Sequence, residues 1–159
     1  MEPPRVYIET TIPSAYFDTR TAPEMIRRRE ATRRWWADAG ERYELVTSPN
    51  VRKELREGPE DRIWEWLSLI RALPSLAINK DVVEIAVAYR QHKLMPPDDA
   101  LHLAVAAYYR CDYLLTWDVR HLANVRKFGH IQRVHRLLGQ HVPRIVTPLV
   151  LLEEEDEQA

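Results

Sequence analysis

An α/β layered domain built on a mainly parallel sheet is the fold class this sequence predicts, and three observations carry it. Short, largely apolar β-rich runs alternate with stretches of helical periodicity, the pattern that generates parallel strands joined by helices. The runs are apolar on successive positions, as strands buried on both faces are. And 159 residues, 45% apolar and 30% charged, supply one core of ordinary size, with no repeat or low-complexity linker to divide it.

The strand candidates are RVYI at 5–8, YELVT at 43–47, DYLLTW at 112–117 and a weaker RIVT at 144–147. Pro23 opens a helix to about Ala39, with Met25, Ile26, Trp35 and Trp36 available for its core face. Further helices are expected at 50–57, behind Ser48–Pro49, and at 60–73, 81–94, 98–109 and 119–139, the last broken near Gly129. The tryptophans read as core or helix-packing residues. The domain is expected to occupy 1–150, leaving 151–159 as an acidic, flexible tail that contains Glu153, Glu154, Glu155, Asp156 and Glu157.

Several function classes drop out. No apolar run approaches the ~18 residues of a membrane span, and MEPPRVYIE lacks a basic-then-apolar signal layout, so a cytoplasmic, non-membrane protein is expected. Cys111 is alone, which excludes an internal disulfide and a Cys-rich metal site. Four glycines leave no Gly-rich phosphate loop. The net charge of −1 conceals a body of about +4 once the five tail acids are set aside. One basic cluster is Arg20, Arg27, Arg28, Arg29, Arg33 and Arg34. The other runs from Arg110 to Arg144 through Arg120, Arg126, Lys127, Arg133 and Arg136, with four histidines among them. Either can meet phosphates or be a solvated helix face.

In parallel α/β sheets the functional crevice lies beyond the carboxyl ends of the strands. YIETT ends the first strand with Glu9, Thr10 and Thr11, and LLTWD ends the third with Thr116 and Asp118. Asp98 and Asp99 open the helix DDALHLAVAA, where Asp98 is the better cap and Asp99 is free to face the strand edge. Glu54 sits early in the helix that follows the second strand. Four carboxylates at one edge repel unless a cation joins them. With oxygen donors only, that cation is a hard ion such as Mg²⁺ or Mn²⁺ rather than zinc. Such a site activates water against a phosphodiester, with Thr11 and Thr116 orienting ligands or bound water. His102 and His121, three residues after Asp99 and Asp118, are open to a base, ligand or structural role beside the carboxylates.

The order of these motifs resembles the PIN domain, and within it the VapC-type toxins of prokaryotic toxin–antitoxin pairs, over about residues 5–150. VYIETTIPSAYFD, TSPNVRKEL, DDALHLAVAA and YLLTWD are similar to its four acidic motifs, and RHLANVRKFGHI to a segment of one subgroup. The resemblance implies a three-layer α/β/α domain and an Mg²⁺- or Mn²⁺-dependent endoribonuclease, homodimeric and held by a cognate antitoxin. It implies Glu9, Glu54, Asp99 and Asp118 as catalytic, metal-binding acids, with Thr11, Thr116 and Asn124 supporting. Two positions depart from the pattern: Glu9 stands where Asp is usual, and Arg120 where many members carry another acid. They favour one tightly held ion and a second weak or absent one. They also leave open a catalytically silent binding module, alongside a PIN nuclease outside toxin–antitoxin control.

Overall fold

The computed structural model of the chain describes residues 2–159. Four strands, β1 (Arg5–Ile8), β2 (Glu44–Val46), β3 (Tyr113–Leu115) and β4 (Arg144–Val146), form one sheet in the order β2-β1-β3-β4, with every pairing parallel. Val6, Tyr7 and Ile8 are all fully buried, which a central parallel strand covered on both faces requires. The chain leaves β1 in one direction to reach β2, then crosses back over it to β3 and β4. The order therefore reverses between β1 and β3, the place where a crevice opens in folds of this class. Ile8 pairs with Leu115, so Glu9 and Thr116 are the next residues into that crevice.

The helices are α1 (Thr11–Tyr16), α2 (Pro23–Arg42), α3 (Pro49–Arg56), α4 (Glu60–Ile70), α5 (Lys80–Gln91), α6 (Pro97–Tyr108), α7 (Phe128–Leu138) and α8 (Pro148–Gln158). Right-handed crossovers in opposite directions put helices on both faces of the sheet, and α2 packs with α8 while α5 packs with α6. Tyr89 of α5 stacks on His135 of α7 at 5.1 Å. Local chemistry sets several helix starts. Ser48, Asn79 and Thr147 each accept a hydrogen bond from the backbone N–H three residues on, and Pro follows Ser48 and Thr147 directly. Gly139, at φ 66°, ends α7 in the left-handed conformation that glycine adopts without strain.

Three expectations need correction. The acidic stretch expected to be flexible is the second half of α8. Leu151 and Leu152 are buried, and Asp156 meets Arg34, Glu155 meets Arg42 and Tyr43, and Glu154 meets Arg144. A run of acids hid a helix that two leucines and a Thr–Pro start had already specified. The helix expected over 119–139 is instead a turn, a short 3₁₀ segment (Val125–Lys127) and α7. Asp118 causes this: its side chain takes the Arg120 and His121 N–H groups and its carbonyl takes that of Ala123. Finally, Trp35 is fully buried, but Trp64 is 80% exposed on the outer face of α4 and belongs to no core.

Candidate active site

Glu9 leaves the end of β1 and is only 4% exposed. Its Oε1 accepts hydrogen bonds from the Thr11 N–H at 2.8 Å and the Thr11 hydroxyl at 2.5 Å. The Thr11 hydroxyl in turn accepts from the Trp117 N–H at 2.8 Å, and the Thr116 hydroxyl from the Asp118 N–H at 2.9 Å. The two hydroxyls lie 3.4 Å apart. Thr11 and Thr116 thus tie the end of β1 to the end of β3. Burial pushes the Glu9 carboxyl above its ordinary value, although His102 and both threonines favour its charged form.

Asp99 stands in the first turn of α6, near enough to Asp118 and Glu9 to feel their charge. Its pKa is lifted to about 7, first by burial and then by the charges of Asp118 and Glu9. Asp118 is held by two backbone N–H groups, those of Arg120 at 3.1 Å and His121 at 2.9 Å. Glu9 and Asp118 thus follow the ends of the paired strands β1 and β3, and Asp99 on α6 is near enough to be raised by their charge. Asp98 is exposed and makes no capping hydrogen bond, since the chain enters α6 through Pro96 and Pro97.

Glu54 is engaged otherwise. Its Oε1 accepts from the Thr10 hydroxyl at 2.8 Å and makes a short contact with His102 Nε2. His102 Nδ1 is 2.7 Å from the Tyr7 hydroxyl, which is 2.7 Å from the Ser48 hydroxyl. Burial alone would favour neutral Glu54, but the hydrogen bond and charge of His102 outweigh it and hold Glu54 below the usual carboxylate range. Burial likewise opposes protonation of His102, yet Glu54, Glu9 and Asp99 together raise it. A protonated ring donates at both nitrogens, to Glu54 and to Tyr7, and Tyr7 then donates to Ser48. Every polar atom of this buried chain is satisfied.

The PIN domain family's sequence model matches residues 6–127. The chain belongs to the PIN domain family. PIN domains are generally nucleases that use divalent metals. Among solved structures, the fold is similar to a chain of a toxin–antitoxin complex from Klebsiella pneumoniae, with 19% identity and a TM-score of 0.59 over 90% of this chain and 97% of that one. It is also similar to a chain of VapBC2 from Rickettsia felis bound to a DNA fragment from their promoter, with 10% identity and a TM-score of 0.57 over 90% and 98%. At these identities the likeness shows the shared fold. No curated protein matches the chain.

In this PIN domain the donors suited to a divalent ion are Glu9, Asp99 and Asp118. All are carboxylates, and Asp99 is raised first by burial and then by the charges of Asp118 and Glu9, which the nearby His102 only partly offsets. Among the described residues, no three His, Cys, Asp or Glu side chains surround a common point that could hold a metal ion. Glu54 stands beside this trio, bound to its own partners. Asn124 is elsewhere: its amide donates to the Arg120 carbonyl at 3.0 Å and its oxygen accepts from the Arg126 N–H at 3.0 Å, which makes it a cap of the 3₁₀ turn. The parts that sequence reasoning missed are Tyr7, Ser48 and the use of Thr10. The only signal for them was placement: Tyr7 lies two residues before Glu9, on the same side of the strand path, and Ser48 caps the helix that carries Glu54.

Proposed function

We propose that this PIN domain is a metal-dependent endoribonuclease and the toxin of a toxin–antitoxin pair. The observation that supports the reading is the parallel pairing of β1 with β3, which delivers Glu9 and Asp118 to the switch point of the sheet, with Asp99 on α6 near enough to be raised by their charge. A bound Mg²⁺ or Mn²⁺ would supply water activation and phosphoryl polarisation there. The chain's own residues do the rest. Thr11 and Thr116 fix Glu9 and the 117–118 backbone, the turn at 118–121 fixes Asp118, and His102 with Thr10 fixes Glu54 at the rim. Chains of the same fold found in toxin–antitoxin assemblies support an antitoxin protein as partner; a homodimer is proposed as the working form on the family resemblance alone.

Asp118→Asn is the test. It should abolish divalent-dependent RNA cleavage while leaving the circular dichroism spectrum unchanged; retained cleavage would reject the assignment. A second reading, a silent binding module of the same fold, draws on the Glu54–His102 pairing and on the unconverged acids. Calorimetric titration with Mn²⁺ separates the two, because a silent module gives no saturable binding heat at neutral pH.

A further inference from the structure

The two basic clusters have different fates in the fold. The α2 arginines are consumed internally. Arg20 binds Asp18, Arg27 and Arg28 share Glu24, and Arg34 meets Asp156. Arg29 and Arg33 staple the 16–18 loop through the carbonyls of Asp18 and Tyr16. In the second cluster Arg144 is paired with Glu154, and Arg110 precedes β3, at the amino end of the sheet away from the acids. Among the described residues, the side chains of Arg120, Arg126 and Lys127 have no carboxylate within ion-pair distance and no hydrogen-bond acceptor.

The backbone that carries these three is tied into one turn beginning at Asp118. Arg120 N–H is bound to Asp118, Asn124 bridges the Arg120 carbonyl and the Arg126 N–H, and the Lys127 N–H closes on the Asn124 carbonyl at 2.9 Å. His130, one turn into α7, approaches the His92 carbonyl at 3.1 Å. That contact draws the segment against the loop leading to Asp98–Asp99, on which Lys93 is exposed. The result is a pre-ordered cationic rim beside an anionic centre. A phosphodiester backbone needs both: cations to hold the flanking phosphates, and acids with their ion at the phosphate that reacts.

Resting on the ribonuclease reading above, we propose that the RNA backbone crosses the site along the 120–127 rim, with its phosphates held by Arg120, Arg126 and Lys127, and that the α2 arginine cluster contacts no phosphate. The test is fluorescence anisotropy with a fluorescein-labelled 20-nucleotide single-stranded RNA, in EDTA to stop cleavage, over a range of salt. Each phosphate contact contributes about 0.7 to the slope of log affinity against log salt. R126A/K127A should therefore flatten the slope by about 1.4 and weaken binding roughly 20-fold at 0.1 M salt. R27A/R34A should bind like the wild type, and both pairs are exposed enough to melt normally. An unchanged slope in R126A/K127A overturns the proposal and leaves the rim to an acidic protein partner. Equal losses in both double variants also overturn it, in favour of a diffuse field. If wild-type protein shows no salt-dependent RNA affinity at all, the ribonuclease reading itself fails, a result distinct from either.

Discussion

Asp99→Asn should stabilise the metal-free protein at pH 8 while destroying its activity. The wild-type carboxyl is lifted from the ordinary 3.8 to about 7 by burial and by its neighbours Asp118 and Glu9. A carboxyl whose pKa is raised by folding weakens the fold as pH climbs from the unfolded value to the folded one, because ionisation is easier in the unfolded chain. At 1.36 kcal/mol per pH unit the full displacement is worth about 4 kcal/mol. The side chain is only half buried, so solvent screening reduces this to about 2 kcal/mol. Asn keeps the shape and the contact with Asp118 without the charge. For a chain of this size about 2 kcal/mol corresponds to roughly 5 °C in Tm. Differential scanning calorimetry in EDTA at pH 8 should show that gain, and at pH 5, where Asp99 is protonated in the folded state, it should shrink towards zero. Millimolar Mg²⁺ should raise the Tm of the wild type at pH 8 and not that of the variant. A loss of Tm in the variant at pH 8, or an identical gain at both pH values, would refute the account of a charge-strained acid centre.

Other outcomes follow from the same contacts. His102→Leu leaves the Tyr7 hydroxyl and a half-buried Glu54 without their partner, and chemical denaturation should show a loss of about 2–4 kcal/mol. His102→Gln keeps a donor towards Glu54 and should recover part of it. Asn124→Ala removes a cap and should cost about 1 kcal/mol in the same measurement, with no change in Mn²⁺ affinity by calorimetry; a large drop in affinity would restore it as a ligand. On α8, Leu151→Ala should cost about 2–4 kcal/mol through the cavity it leaves. Arg42→Ala, which breaks only half-exposed ion pairs with Asp38 and Glu155, should cost under about 1 kcal/mol.

Much of the site was legible because its residues sit at positions with a fixed geometric meaning. A strand that ends Y-I-E-T-T or L-L-T-W-D must deliver its acid and hydroxyl to the carboxyl edge of a parallel sheet, whatever the loops do. Asp99 was readable for a similar reason, since two prolines set the start of its helix. Glu54 was located correctly on α3, but its engagement was not legible. Its tether depends on His102, 48 residues away in sequence, and on Tyr7 and Ser48 behind it. Asn124 caps its own turn, and in one dimension such a side chain looks identical to one reaching into a site. The acidic tail misled because charge count hid a helix whose buried residues, Pro148, Leu151 and Leu152, all precede the acids and whose start is one Thr–Pro step.

By itself the sequence determined the class of fold, the helix starts behind Ser48–Pro49 and Pro96–Pro97, and which acids the strand ends carry, because each follows from local periodicity, proline placement and strand direction. Only the tertiary structure decided which charges are spent. It paired the α2 arginines with carboxylates and carbonyls, committed Glu54 to His102, and left Asp99 strained and the 120–127 cations free. Electrostatic energy depends on distances across the fold, and those distances are absent from the order of residues along the chain.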